Sequence, residues 1–339
     1  MFPHLNVPVP HSSVRFLLDA LPADIETHPF TWNTALRADY DVLHVHWPEG
    51  LLRGTSPARV LLQRLRFLAL AARLTINNTP VIWSVHDDSP LEKGPLGEGL
   101  FLALWDKLTT RRIYMYNSAR PRPHSARDVM IPHGCYSPLF PDSRDARREK
   151  IVPGRVVLFG HIRPYKGIEE FLSTMAEMTT SNRLESDVSL LIAGRDTFRW
   201  YTKRLRQLAS SLPNVTIRAE YLDDDDVEEL LLTAEAVVLP YQKIYNSGVA
   251  LLALTLKRPI IVQQSPTMAE LATEVGGSWV TVMPFPASAA DFGAAHEVAR
   301  EAHGQGVPDL SQRDWADIGQ RYADVFRSAD TRSSQLLLK

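Results

Sequence analysis

Residues 156–168 read VVLFGHIRPYKGI, and this stretch decides the fold that the sequence predicts. An apolar run with the length of a buried strand ends at Gly160. Arg163 and Lys166 follow, and a helix is predicted to begin at Lys166. A strand that brings a glycine, two cations and a helix N-terminus together forms an anion site, because N–H groups and the helix dipole attract negative oxygen. The pattern indicates a diphosphate ligand; the alternative is a strand-to-helix turn with exposed basic residues.

The composition is that of a globular protein with more than one domain. The chain has 339 residues, 45% hydrophobic and 22% charged, which exceeds the usual size of a single core and predicts two domains. A formal net charge of -2 disfavours nucleic acid as a partner, since proteins that bind phosphate backbones are usually basic. The single cysteine, Cys135, excludes an intramolecular disulfide and a cysteine-based zinc cluster.

The N-terminal segment MFPHLNVPVPHSS contains three prolines and lacks the apolar core of a signal peptide. No run reaches the ~20 apolar residues of a membrane-spanning helix. We therefore expect a cytoplasmic protein, either free or peripheral at the inner face of a membrane.

The first half alternates predicted helices and short strands. The helices are expected at 13–21, 58–74 and 100–110, and the strands at 40–49, 80–85, 113–118 and 129–131. A polar segment flanked by prolines, residues 138–153, is predicted to be the interdomain linker.

Polar side chains on the first two strands are site candidates. His44 and His46 share one face of the first strand by alternation, and we expect one to be packed and the other to line a cleft. A metal site is disfavoured because no third ligand is in view. His86 and Asp87 follow the second strand, at the end where α/β sheets bind ligands; their alternative role is to cap the next loop.

The predicted helix 58–74 carries two kinds of residue at helical spacing. Leucines and an alanine recur on one side, and arginines recur at intervals of seven on another: Leu61, Leu65, Leu68 and Ala72, then Arg59, Arg66 and Arg73. The pattern favours a core helix with a solvated arginine edge. The alternative is peripheral contact with an anionic membrane.

The second half alternates strand and helix regularly, which predicts a doubly wound parallel sheet. Its elements are expected at 167–180, 188–193, 197–210, 215–218, 223–233, 236–240, 246–255 and 259–262. The four aspartates at 223–226 are interpreted as a helix cap rather than a metal site. A further helix with an apolar stripe is expected over 310–327.

This second half resembles the C-terminal domain of the GT-B glycosyltransferases, especially glycosyltransferase family 4. The matching pieces, over about residues 155–275, are FGHIRPYKG at 159–167, LIAG at 191–194, the helix from 226 into AEA at 234–236, VLPY at 238–241, NSG at 246–248 and PIIV at 259–262. Residues 41–49 and 85–87 resemble relatives that make bacterial surface polysaccharides and glycolipids. The resemblance implies an α/β GT-B architecture of two Rossmann-like, doubly wound domains facing a cleft. These are an acceptor-binding domain at 1–150, a nucleotide-sugar-binding domain at 151–310, and a helical segment at 311–339 that packs back on the first domain.

The resemblance also implies a donor site. Lys166 matches the family lysine, whereas the arginine that usually follows the strand glycine is His161 here, so its role passes to Arg163. Two family glutamates correspond to Ile244 and Leu252, which places the family's retaining stereochemistry in question. The expected donor-binding residues are Gly160, Arg163, Lys166, Gly194, Arg195, Asn246, Ser247, Gly248 and Glu270, the last with an equally open role at a helix start.

The function implied is transfer of a hexose from a nucleotide sugar, GDP-mannose or a UDP-hexose, to a lipid-linked or polysaccharide acceptor. Basic residues would neutralise the diphosphate, so neither a metal nor another cofactor is expected. An inverting reaction needs a base, for which the candidates are Asp87, His86 and Glu49, with His44 and His46 on the acceptor side. In a retaining reaction the leaving phosphate accepts the proton. The alternatives are a sugar transferase acting on DNA or protein, and a non-catalytic protein that binds sugar nucleotides.

Overall fold

A computed structural model describes residues 12–86, 94–121, 123–140, 150–180 and 188–329. The chain forms two compact units. The first contains the chain up to Gly134 and the part from Arg313 onward, and the second is Cys135–Gln312. The unit boundary therefore precedes the predicted linker, of which residues 141–149 lie outside the described part. The predicted domain limits and domain roles remain predictions.

The first unit is built on a four-stranded parallel sheet in the order β1-β2-β3-β4. The strands are β1 (Leu43–Val45), β2 (Val81–Val85), β3 (Thr109–Tyr114) and β4 (Asp128–Met130), and the helices are α1 (Ser12–Ala20), α2 (Trp32–Arg37), α3 (Pro57–Ile76), α4 (Glu98–Leu108) and α11 (Trp315–Ala329). The order of the strands in the sheet is the same as their order in the chain. Each pair of parallel neighbours is joined by a crossover segment.

Helices cover both faces of this sheet. Ile82 and Ile113 belong to an apolar cluster with α1 and α11, whereas Val81 and Leu43 belong to a cluster with α2, α3 and α4. Successive strand residues point to opposite faces, so Val81 and Ile82 serve different clusters. Within α11, Ile318, Tyr322 and Val325 are buried, as the predicted stripe requires.

The favoured interpretation of helix 58–74 is wrong about which side packs. The buried residues of α3 are Phe67, Leu70, Ala71 and Leu74. The predicted leucine stripe faces away from the core, and Leu65 keeps 56% of its surface exposed. The helix is apolar on two sides, and packing selects the side that carries the phenylalanine.

The third strand begins earlier than predicted. β3 starts at Thr109 rather than 113, at a point where the prediction continues a helix to residue 110. Ion pairs accommodate its polar beginning: Arg112 pairs with Asp128 at 2.8 Å and with Asp106 at 3.1 Å. A search for apolar strand residues misses such a segment.

The second unit contains the predicted parallel sheet, in the order β10-β9-β8-β5-β6-β7. Its strands are β5 (Arg155–Phe159), β6 (Ser189–Ala193), β7 (Val215–Arg218), β8 (Ala236–Leu239), β9 (Ile260–Gln263) and β10 (Val280–Met283). Its helices are α5 (Ile168–Thr180), α6 (Arg199–Ala209), α7 (Asp224–Leu232), α8 (Gly248–Thr255), α9 (Pro266–Val275) and α10 (Ala289–Ala302). The strand order reverses between β5 and β8, which makes that edge a topological switch point.

Two further observations concern the helices. Asp223 caps α7 by accepting a hydrogen bond from the N–H of Asp226 at 2.9 Å, which confirms the interpretation of the aspartate run as a cap. No helix in the described part of the chain combines the length and the apolar character needed to cross a membrane.

Candidate functional site

Lys166 lies at the switch point of the second unit. It belongs to a 3-10 turn, Pro164–Lys166, that follows β5. Its Nζ donates to the carbonyl oxygen of Phe159 at 3.4 Å and sits over the ring of Tyr241, 4.9 Å from the centroid. Tyr241 is the second residue after β8, so the lysine connects the ends of β5 and β8, the two strands between which the order reverses. Only 5% of its surface is exposed.

Two glycines make this close packing possible. Gly160 adopts φ +115°, and a Cβ added there would lie 2.6 Å from Lys166 Nζ. Gly194, at the end of β6, adopts φ +136°, and its Cβ would lie 2.3 Å from the carbonyl oxygen of Gly160. Since L-residues with a side chain rarely adopt these angles, the backbone of β5 and β6 can close around the lysine only with glycine.

The electrostatics of Lys166 favour the binding of an anion. Burial, followed by repulsion from Arg163, lowers the pKa of Lys166 to about 7. Among the residues that the structure describes, no carboxylate pairs with its ammonium group. Burying the ammonium group costs free energy, and a bound anion would offset that cost.

The other predicted basic residues surround this turn in different ways. Arg163 is half-buried and precedes the 3-10 turn in extended conformation. Arg195 is exposed, and its backbone carbonyl accepts a hydrogen bond from the N–H of Ile162 at 3.0 Å. His161, which replaces the usual arginine, is exposed, with Nδ1 3.2 Å from Thr197 Oγ1.

The helix after β8 begins at the same sheet edge. Ser247 is its N-cap and accepts a hydrogen bond from the N–H of Ala250 at 3.3 Å. The first turn of a helix offers N–H groups that have no partner within the helix. The hydroxyl of the buried Tyr136 approaches this end, since a Cβ on Gly248 would lie 2.6 Å from it.

The positions of the family glutamates are filled by core side chains. Ile244 and Leu252 each expose 8% of their surface. Asn246 and Glu270 are both half-buried, the first in the loop before α8 and the second within α9, after β9. No carboxylate therefore stands at either of the two positions where the resemblance expects one.

The first unit contains a cluster of three histidines at the carboxyl ends of β1 and β2. His46 Nδ1 and His86 Nε2 are 2.8 Å apart, and Trp47 stacks on His86 with ring centroids 4.3 Å apart. His44 Nε2 lies 2.8 Å from Ser84 Oγ. The rings of His44 and His46 are 4.5 Å apart, as expected for residues on one face of a strand.

The members of this cluster differ in exposure. His44 and His46 are buried, whereas His86 is half-buried. Burial lowers the pKa of His44 well below its usual value, so this ring is neutral in the folded protein. Tyr322 of α11 extends the polar chain, with its hydroxyl 3.1 Å from Ser84 Oγ.

Glu49 lies in a 3-10 turn, Pro48–Leu51, that follows the cluster in the chain. Burial raises the pKa of its carboxyl group. Nearby, Arg53 forms two hydrogen bonds with the buried Glu98, at 2.8 and 2.9 Å. Asp87, the remaining base candidate, lies outside the described residues. Within the described ranges, no three His, Cys, Asp or Glu side chains converge as they would to hold a metal ion.

Several residues of these sites were not predicted. The ring of Tyr241 lies under Lys166, and the hydroxyl of Tyr136 lies near Gly248. Ser84 and Tyr322 extend the histidine cluster. Tyr241 could have been predicted, because it closely follows β8, a strand that pairs with β5. The carboxyl ends of neighbouring parallel strands lie at the same edge of the sheet. Tyr136 and Tyr322 come from segments whose packing partners the sequence pattern does not specify.

The chain is similar in sequence to known glycosyl transferases. Residues 153–295 match the family model of the glycosyl transferases group 1. The GDP-mannose:glycolipid 4-beta-D-mannosyltransferase of Xanthomonas campestris pv. campestris is 33% identical over 313 residues, covering 92% of this chain and 87% of that protein.

Solved structures show the same fold at low identity. HepE of Anabaena in complex with UDP-glucose has a TM-score of 0.59 at 17% identity, covering 85% of this chain and 79% of that chain. The sucrose-phosphate synthase of Thermosynechococcus elongatus has a TM-score of 0.59 at 16% identity, covering 85% and 73%. The two parallel α/β sheets and these neighbours identify the GT-B fold. The chain therefore belongs to the group 1 glycosyltransferases.

Proposed function

We propose that the protein transfers mannose from GDP-mannose to a hydroxyl group of a glycolipid and forms a β-linkage. The observation that carries the proposal is the 33% identity, over 92% of the chain, to a relative named for this reaction. That identity extends through both units. The fold-level neighbours include complexes with UDP and UDP-glucose, so the fold alone does not select the nucleotide.

We call Lys166, Arg163 and the first turn of α8 the switch-point site. This site supplies the charge stabilisation that the leaving nucleotide requires. As the bond between the sugar and the diphosphate breaks, negative charge grows on the diphosphate oxygens. Lys166 and Arg163 provide positive charge after β5, and the first turn of α8 provides N–H groups after β8. Groups fixed in place before the reaction stabilise this charge without reorganising.

The stereochemistry follows from the proposed donor and product. GDP-mannose is an α-glycosyl diphosphate, so a β-linked product requires inversion at the anomeric carbon. The buried, apolar Ile244 and Leu252 support a departure from the retaining members of the family. Inversion in one displacement needs a base for the acceptor proton. The candidates in the first unit are His86, Glu49 and Asp87.

We further infer that the protein meets its lipid acceptor at an anionic membrane surface. The exposed face of α3 and the start of α4 form a leucine surface, defined by Leu61, Leu62, Leu65, Leu68, Leu96 and Leu100. Arg64 joins its two parts: its guanidinium donates to the carbonyl oxygen of Leu96 and lies 5.2 Å from the ring centroid of Phe101. Large exposed apolar patches mark interaction sites.

Charge favours an anionic membrane as the partner of the leucine surface. The sequence of α3 contains four arginines and no acidic residue: Arg59, Arg64, Arg66 and Arg73. Arg59 is exposed, whereas Arg66 and Arg73 lie over the rings of Trp32 and Tyr40. An apolar face on a helix that carries only positive charge suits the interface of a membrane with anionic headgroups. Peripheral contact there would bring the enzyme to the surface in which a glycolipid resides.

The experiment combines the purified protein, GDP-mannose and a bacterial glycolipid extract, with UDP-glucose as the competing donor. We expect mannosylated lipid with a β-anomeric signal by NMR. Turnover by Lys166→Met should fall by about tenfold or more, since a charged contact is worth ~1.5–3 kcal/mol. Lys243→Met is the matched control, because Lys243 is an exposed lysine after β8. An α-linked product, or transfer to DNA or protein instead of lipid, contradicts the proposal.

A further inference from the structure

We propose that His46 and His86 form a single proton-holding unit, in which His86 accepts the proton of the acceptor hydroxyl and His46 is the positioning residue behind it. The inference rests on the inverting transfer proposed above. It assigns to the buried His46 a role in the reaction that its place on the strand alone does not indicate.

The geometry fixes the pair. His46 Nδ1 and His86 Nε2 are 2.8 Å apart, a full hydrogen bond. His46 is held by burial, with 5% of its surface exposed. His86 is held by the ring of Trp47, which stacks on it at an interplanar angle of 20°. His86 is half-buried, so it is the member that a substrate can approach.

A hydrogen bond between two imidazole nitrogens limits the charge of the pair. One nitrogen must donate and the other must accept. If both rings became imidazolium, two N–H groups would point at each other across 2.8 Å. The pair therefore takes up one proton and not two, and its titration belongs to the pair rather than to either ring.

The described titratable groups near the pair lie on β1, on α11 and in the turn that follows β1. His44, on the same strand, is buried, and its pKa is lowered by that burial. Tyr322 of α11 contributes a neutral hydroxyl through Ser84. Among the described carboxyl groups, that of Glu49 is nearest in the chain to His46. Burial raises the pKa of Glu49. Arg53 is engaged with Glu98.

Atoms and charge balance in the transfer step. The acceptor oxygen forms a bond to the anomeric carbon while the bond from that carbon to the diphosphate oxygen breaks, and its electron pair leaves with GDP. The hydroxyl proton moves to Nδ1 of His86. The proton on Nε2 of His86 can then be shared with Nδ1 of His46, so the positive charge spreads over both rings. Solvent removes one proton from the pair before the next turnover.

The first test counts protons on the pair. Imidazole nitrogen NMR of the full-length protein, with His46→Asn used to identify the signals, should show one proton taken up jointly by His46 and His86 across the acidic range. Two separate imidazolium titrations would overturn the proposal. This measurement does not depend on the donor or the acceptor, so its failure is distinct from failure of the mannosyl transfer.

The second test is the pH profile of turnover. The His46→Asn variant offers an amide oxygen that accepts the hydrogen bond from His86 but takes no proton. We expect kcat to fall about tenfold and the acidic limb of the profile to move to lower pH, with the KM for GDP-mannose unchanged. His86→Asn should lower kcat about a hundredfold or more.

His124→Asn is the control, because His124 is an exposed histidine outside the cluster. It should leave both kcat and the acidic limb in place. A His46→Asn variant with the wild-type limb and the wild-type kcat would overturn the role of His46. Absence of transfer by the wild type would overturn the mannosyl transfer and the base role together, while the NMR titration still decides the shared proton.

Discussion

Among the described residues of the proposed donor site, Lys166 is the one for which a pKa near neutrality is resolved, because burial lowers it to about 7. An anionic donor favours the charged form and raises this pKa, so donor binding above pH 7 takes up a proton. We expect the Kd for GDP-mannose to rise with pH above about 7, by up to about tenfold per pH unit. Titration calorimetry in buffers of different ionisation enthalpy measures the proton uptake. The same uptake in Lys166→Met would contradict the assignment.

Gly160 permits the approach of Lys166, and its replacement should separate donor binding from folding. Gly160→Ala places a Cβ 2.6 Å from Lys166 Nζ at φ +115°. We expect donor affinity to fall at least about tenfold and the free energy of unfolding to fall by about 1–3 kcal/mol, since an L-residue is strained there. Gly277→Ala is the control, because an added Cβ meets nothing within 4 Å. Wild-type affinity in Gly160→Ala would reject this geometry.

Sequence reasoning reached some of these residues and missed others for a physical reason. Lys166 and Gly160 belong to one short motif, and local order in the chain places them together. The ring of Tyr241 lies next to the lysine but comes about 75 residues later in the chain, after β8. It reaches the end of β5 because β8 is the neighbour of β5 where the strand order reverses. The contact between His46 and His86 likewise depends on the pairing of β1 with β2.

At the scale of elements, α3 shows what periodicity leaves undecided. Leu61, Leu65 and Leu68 have helical spacing, but so do Phe67, Leu70 and Leu74, which form the packed side. When a helix is apolar on two sides, the sequence pattern alone does not show which side packs against the core. The amphipathic character was predicted, and only the structure assigns the faces.

The leucine surface predicts binding to anionic vesicles. The double substitution Leu61→Gln and Leu65→Gln should abolish co-sedimentation with vesicles that contain an anionic lipid, because it removes the apolar contact. It should leave the melting temperature unchanged, since both side chains are largely exposed. Leu208→Gln, an exposed leucine of α6 in the other unit, is the control and should bind as the wild type does. Unchanged binding of the double variant would contradict the proposed contact.

At the scale of the whole molecule, the buried His44 of the first unit links folding to pH. The pKa of His44 is lowered by burial in the folded state, so below its unfolded value of about 6.5 the unfolded chain binds more protons. Stability is thus fully present above about pH 6.5 and is lost as pH falls, by up to about 1.4 kcal/mol per pH unit from this group.

Urea unfolding at several pH values measures this slope. His44→Gln should reduce it, whereas His124→Gln should not, since His124 is exposed. An equal slope in the wild type and in His44→Gln would assign the acid sensitivity to other groups.

The overall architecture was more accessible to sequence reasoning than the site was. Regular alternation of strands and helices predicted the parallel sheet of the second unit, because each element carries its own periodicity. The beginning of β3 was missed, and so were β10 and α10, since ion pairs and tertiary packing replace a strong local pattern there.

The central claim is that the switch-point site of the second unit holds the nucleoside diphosphate of the donor through Lys166. Thermal unfolding with GDP, GDP-mannose and UDP-glucose tests it most directly in the wild type, Lys166→Met and the control Lys243→Met. At ~100 times its Kd, GDP-mannose should stabilise the wild type and Lys243→Met by ~2.7 kcal/mol and leave Lys166→Met almost unchanged. Equal stabilisation of all three proteins, or no stabilisation of the wild type, would contradict the claim.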